Sequence, residues 1–204
     1  MKNLLILVIA IFAGTATLTA QVGIATLAPT AQLELDNDAL APNFPLLELN
    51  PQTAPAGTAT GQLAVIGDLL YMYDSVRSKW LSIQAIPLQF SRNGSTIAEN
   101  LFFGDTNSDN TGPLMPFDGT IVALTAKASA MSATTKRLQV RVRNGVTNVS
   151  NTNFSLSNTT NSFNNTAIDT DFSAGDYLLT RGRNTPVAAT ADDVSVVVWV
   201  KWRQ

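Results

Sequence analysis

The chain has 204 residues with 13 basic and 15 acidic side chains, a formal net charge of −2, no Cys and no His. The slight acidic excess excludes a nucleic-acid binder of the usual electrostatic kind. The missing Cys excludes a disulfide scaffold, and the missing His removes the commonest general base and transition-metal ligand. Only 14% of the residues are charged, which with abundant Thr, Asn, Ser and Ala suits a β-rich surface protein better than a helical enzyme.

The chain opens "MKNLLILVIAIFAGTATLTAQ": one Lys, an apolar run from Leu4 to Ala13, then small residues. This pattern predicts a secretory signal peptide over 1–20, cleaved after Ala20, and hence a secreted or cell-surface protein. The run is too short to span a bilayer, and no later segment is apolar enough, so no membrane span is expected in the mature chain. Residues 21–61 are rich in Pro and Ala with short apolar pieces such as "AQLEL" and "FPLLEL". Too thin in apolar mass to fold alone, they are expected as an extended N-terminal stalk or assembly segment.

Residues 62–85 read as a β-hairpin region. Gly67-Asp68 makes one turn, Asp74 to Lys79 a second, and Leu69, Tyr71 and Tyr73 share a face to which Trp80 returns. Residues 86–204 hold short alternating runs broken by Gly, Asn, Asp and Pro, with strands expected near 86–91, 100–104, 118–129, 136–144, 146–157, 163–169, 176–181 and 193–203. So many short strands predict a jelly-roll-type β-sandwich head, and the whole chain is all-β. In "KRLQVRVRNG", Leu138, Val140 and Val142 point one way and Arg137, Gln139, Arg141 and Arg143 the other. Asn144-Gly145 then supplies the two φ > 0 positions of a tight turn. In "DDVSVVVWVKWRQ", Val194, Val196, Val198, Val200 and Trp202 form one face, and Val197 and Trp199 the other. Both faces are apolar, so a neighbouring subunit is expected to cover one of them. The five residues of the longer face are the predicted subunit interface.

Four groups of side chains carry possible chemistry. In "GDTNSDNTG", Asp105, Asn107 and Asp109 alternate as calcium ligands do. A helical calcium loop, however, needs Gly at its sixth position and Glu at its twelfth, and these are Asn110 and Pro116. A polar loop built from good turn formers is the plainer reading. Arg137, Arg141 and Arg143, with Lys136, could hold an anionic glycan or phosphate through forked hydrogen bonds, or form a solvated strand face that discourages edge pairing. Tyr71, Tyr73, Trp80, Trp199 and Trp202 could stack on sugars, although their strand spacing favours packing. Asp192-Asp193 sits where a loop enters a strand and points its carboxylates apart, so it reads as a turn rather than as a glycosidase pair. With no His to activate a Ser or Thr, no catalytic residue is expected.

Three segments carry a resemblance. "QVGIATLAPTAQLEL" resembles the "VGIGT" segment of exported Bacteroidetes proteins and phage tail fibres, departing at Ala25 and Glu34. "GDLLYMYDSVRSKWLSI" resembles the hairpin that follows it in such fibres. The body, with "PLQFSRNG", "MPFDGTIVALTAKAS" and "DFSAGDYLLT", is similar to trimeric jelly-roll heads of complement and tumour-necrosis-factor type. The resemblance implies a homotrimer whose inner sheet lies near the threefold axis. It further implies a non-enzymatic adhesion or recognition protein that binds a glycan or another surface. The alternative is a structural subunit that polymerises into an extracellular filament or sheath through residues 21–61.

Overall fold

In the computed structural model the described residues are 22–24, 33–35, 47–105, 108–184 and 189–204. The signal-peptide segment and most of the expected stalk lie outside them. The chain divides into two units, Met1–Asn50 and Pro51–Gln204. In the first, β1 (Val22–Ile24) pairs in parallel with β2 (Leu33–Leu35).

The second unit begins with a small antiparallel sheet of β3 (Leu63–Ile66), β4 (Leu69–Asp74) and β5 (Lys79–Ser82). Its turns fall where the sequence places them. Gly67 adopts φ 65°, which L side chains resist, and the Asp74 carboxylate accepts from the Val76 and Arg77 backbone N–H groups. Tyr73 sits opposite Trp80, with ring centroids 5.3 Å apart.

The remaining strands are β6 (Ile86–Thr96), β7 (Gly119–Lys127), β8 (Ala130–Met131), β9 (Thr135–Asn144), β10 (Thr147–Ser157), β11 (Ser162–Asn165), β12 (Thr170–Phe172), β13 (Tyr177–Gly182) and β14 (Ala191–Trp202). They make one sheet ordered β13-β9-β10-β11-β7-β14-β6, with β12 also on β7 and β8 on β14. The sheet folds over at β10 and β11, which share only the Ser157–Ser162 pairing. Leu138, Val140, Val142, Leu156 and Leu178 thereby pack against Phe90, Leu124 and the β14 valines in one core. Residues 100–102 bridge the two outer edges, Phe102 pairing with Ser91 and Asn100 with Arg181. The result is an all-β sandwich closed towards a barrel, in the expected fold class.

Three expectations change. Residues 100–104 form bridges rather than a strand. The expected strand 163–169 is two strands on β7, interrupted at 166–169, and the interruption frees the Thr166 and Ile168 carbonyls to accept from Arg77. The β9–β10 turn is Gly145-Val146, because Asn144 already pairs with Thr147. Gly145 alone has positive φ, 54°, as in the turn type with Gly at its first central position.

The predicted interface is corrected by burial. Val194, Val196, Val198 and Val200 are 0% exposed in a single chain, and Trp202 packs edge-on to Phe117 and Phe172. This face is the chain's own core. The sandwich folds over far enough to cover the four valines, which have no surface to give to a partner, while Trp202 stays partly exposed. The other face, Ser195, Val197 and Trp199, is half-buried.

Candidate functional site

Of the residues singled out for calcium, Asp109 lies against those singled out for anions, on the outer face of β9 and β13. Strand alternation sends Leu138, Val140 and Val142 into the core and sets Arg137, Gln139, Arg141 and Arg143 outward. Register then places Tyr177 beside Arg143, Leu179 beside Arg141 and Arg181 beside Gln139. The Arg183 N–H donates to the Arg137 carbonyl at 2.9 Å, which carries the pairing one step further and sets Arg183 opposite Arg137. β10 adds Asn151, Asn153 and Ser155 opposite Arg141, Gln139 and Arg137.

One end of this face is covered. The segment around Asp109 crosses it, and Gly112 approaches the β13 backbone so closely that a Cβ there would lie 2.0 Å from the Leu178 carbonyl oxygen. The Asp109 carbonyl accepts from Arg143 and, at 3.2 Å, from the Tyr177 hydroxyl. The Asp109 carboxylate accepts from Asn100 Nδ2 at 3.0 Å and stands 3.8 Å from both Arg141 and Arg181. Gln139 and Arg143 are only 4% and 7% exposed, so the expected solvated basic face is largely roofed. Burial and the neighbouring Arg181, Arg143 and Arg183 charges press the Arg141 guanidinium below its usual value, against the pull of Asp109.

For the calcium candidates, Asp109 thus faces arginines, Asp105 is exposed, and Asn107 lies outside the described residues. Among the described residues there is no cluster of three or more acidic side chains placed to hold a metal. Lys136, grouped with the basic stripe by sequence, faces inward with Leu138. It is 0% exposed and donates to the Ile97 carbonyl, to Ala189 O at 2.7 Å and to Arg183 O at 3.3 Å.

The other end of the face is open. Arg137, Arg183, Asn153 and Ser155 line a cleft of about 360 Å3. Gln139 donates to the Asn153 side-chain oxygen at 2.9 Å, which leaves the Asn153 amide nitrogen as the donor of that side chain. Among the described residues, neither the Arg137 nor the Arg183 guanidinium has a hydrogen bond or ion pair. Like charges directly opposite each other on a strand pair are unfavourable, and among the described residues neither of these two has a carboxylate partner. The arrangement presents two forks of N–H donors, an amide donor and a hydroxyl to one space, a set that matches the oxygens of an anionic group. Arg183 was not singled out by the sequence, because nothing in "LLTRGRN" shows which strand will lie beside it.

The remaining candidates are structural. Asp193 has φ 51° at a β-bulge and accepts from Gly94 N and Ser129 Oγ, each at 2.8 Å. Of the aromatic candidates, Tyr71 and Trp80 are buried in the small sheet, where Trp80 Nε1 donates to Pro55 O at 2.8 Å, and Trp199 is half-buried.

No protein-family model matches the chain, and neither does any curated protein. Among solved structures it is similar to a chain described as "CBM4 structure and function". The match has 14% identity and a TM-score of 0.27, covering 72% of this chain and 77% of that one. Both values are too low for the likeness to say what this chain binds.

Proposed function

We propose that the chain is a non-enzymatic recognition protein, exported and displayed outside the cell, which binds an acidic glycan in the cleft between Arg137 and Arg183. The observation that carries this reading is the pair of unpartnered guanidiniums set opposite each other, with Asn153 and Ser155 as additional hydrogen-bonding groups. A carboxylate or sulfate group seated there relieves the repulsion and fills both forks. Binding of sulfated or uronate oligosaccharides to the purified protein is the test. Arg137→Ala and Arg183→Ala should each weaken binding about tenfold or more, while neutral oligosaccharides stay unbound. Equal retention of neutral and acidic sugars would count against the reading.

A homotrimer remains part of this proposal, with its contact moved from the β14 valines to a groove that keeps Trp202. Leu69, Leu70, Ile83 and Ile86 line one groove of about 390 Å3 with Trp202, and Leu70 and Ile83 are 41% and 44% exposed. That groove is the apolar surface we assign to the subunit contact.

The filament alternative draws on a different observation. The outer edge of β3 already takes one parallel bridge, Gln52 N to Val65 O at 2.8 Å, so this edge can accept an added strand. Fibres in electron micrographs that vanish when residues 21–50 are deleted would favour that reading.

A further inference from the structure

A second cleft, of about 350 Å3, lies between the β3–β5 sheet and the far face of the sandwich. Its charged lining groups are Asp74, Arg77, Asp169 and Lys201. Three of these are paired. Asp74 binds Arg77 at 2.6 Å, and Asp169 binds Lys79 at 2.6 Å. Lys201 projects from the outward side of β14, is half-buried, and has no hydrogen bond or ion pair among the described residues. Burial presses its ammonium below the usual lysine value, against the pull of Asp74, which Arg77 already holds. The cleft is otherwise lined largely by the apolar side chains of Met72, Leu81, Val76 and Ala167.

We infer that this cleft binds a small amphiphilic monocarboxylate, its head paired with Lys201 and its apolar body against Met72, Leu81 and Ala167. One unpaired cation calls for one negative charge. The fixed carboxylates of Asp74 and Asp169 beside it disfavour a dianion. The apolar lining disfavours a fully hydrated ion such as free phosphate or acetate. The site is distinct from the arginine cleft and does not depend on it.

Titration of the whole purified protein with hexanoate, hexan-1-ol and hexylammonium, followed by amide chemical shifts, tests the inference. Hexanoate should shift the amides of Thr166, Ala167 and Lys201 saturably, with affinity on the order of millimolar. Hexanol should bind about tenfold more weakly or worse, and hexylammonium should leave those amides unmoved. Lys201→Met should abolish the hexanoate response and Lys201→Arg should retain it. Equal binding of hexanol and hexanoate, an unchanged response in Lys201→Met, or no saturable shift at tens of millimolar hexanoate would each overturn it. The ligand series on the unaltered protein keeps the test decisive if a variant fails to fold.

Discussion

Lys136 shows how far a side chain's role depends on what lies beyond its own strand. It follows Thr135 in a run that reads as basic and wet, yet its ammonium is enclosed and gives hydrogen bonds to the carbonyls of Ile97, Arg183 and Ala189. Those acceptors come from three separate segments, so the one cation ties them together. Met in its place keeps most of the volume and leaves one buried and two part-buried carbonyls short of a donor. We expect Lys136→Met to lower stability by about 2–3 kcal/mol in urea unfolding, and a loss under 0.5 kcal/mol would contradict this assignment. Grouping Lys136 with the arginines by charge set it on the wet face, against the strand parity it shares with Leu138 and Val140. Its acceptors were not legible, because loop carbonyls leave no pattern in sequence.

At the level of elements, the β3–β5 sheet is fastened to the sandwich at the turn carrying Arg77 and along β5, where Ser82 Oγ accepts from Trp202 N at 3.0 Å. Arg77 gives Nη1 to Asp74 at 2.6 Å, Nε to Ile168 O at 2.9 Å, and Nη2 to Thr166 O at 2.9 Å and Val122 O at 3.1 Å. Lys79 adds ion pairs to Asp169 and Asp171 at 2.6 and 2.8 Å. Arg77→Ala should cost about 2–4 kcal/mol and speed hydrogen exchange in β3–β5, and Arg77→Lys should restore little, since one ammonium cannot span the same acceptors. Burial would raise the Asp74 and Asp171 carboxyls. The hydrogen bonds from Arg77 to Asp74, and from Lys79 and Thr120 to Asp171, outweigh it and hold both below the usual carboxylate value. Carboxyls depressed in the folded state add stability above their unfolded pKa of about 3.9 and lose it as pH falls through the lower folded value. The melting temperature should therefore fall on acidification below about pH 4, and Asp171→Asn should blunt that fall. The aspartate is partly exposed, so this substitution should cost under about 1 kcal/mol at neutral pH. The hairpin and its turns were readable from Gly67, Asp74 and the aromatic spacing. Its merger with the sandwich was not, because the acceptors for Arg77 exist only where β7 bulges at Val122 and the chain breaks between β11 and β12.

For the whole molecule, the valine face of the closing strand is enclosed and offers no surface to a partner. Its apolar alternation was plain in "VSVVVWVKW", but alternation does not say which face a folded-over sheet will enclose. The valines of that enclosed face each contribute roughly 1.5–3 kcal/mol by burial, so Val196→Asp should unfold the chain. Leu70→Asp and Ile83→Asp, in the exposed groove, should instead leave the melting temperature within a few degrees and convert a sedimenting trimer to a monomer. A monomer without any substitution would remove the proposed subunit contact and leave the proposed glycan cleft standing. That cleft was half legible: Arg137 was singled out for anion binding, and Arg183 became its partner only through the β9–β13 register. The most direct measurement is amide shift mapping of the protein titrated with a sulfated oligosaccharide. We expect the perturbed residues to centre on Arg137, Asn153, Ser155 and Arg183 and to vanish in an Arg137→Ala, Arg183→Ala double variant. Saturable shifts centred on Trp199 or the hairpin, or shifts that persist in the double variant, would contradict the assignment.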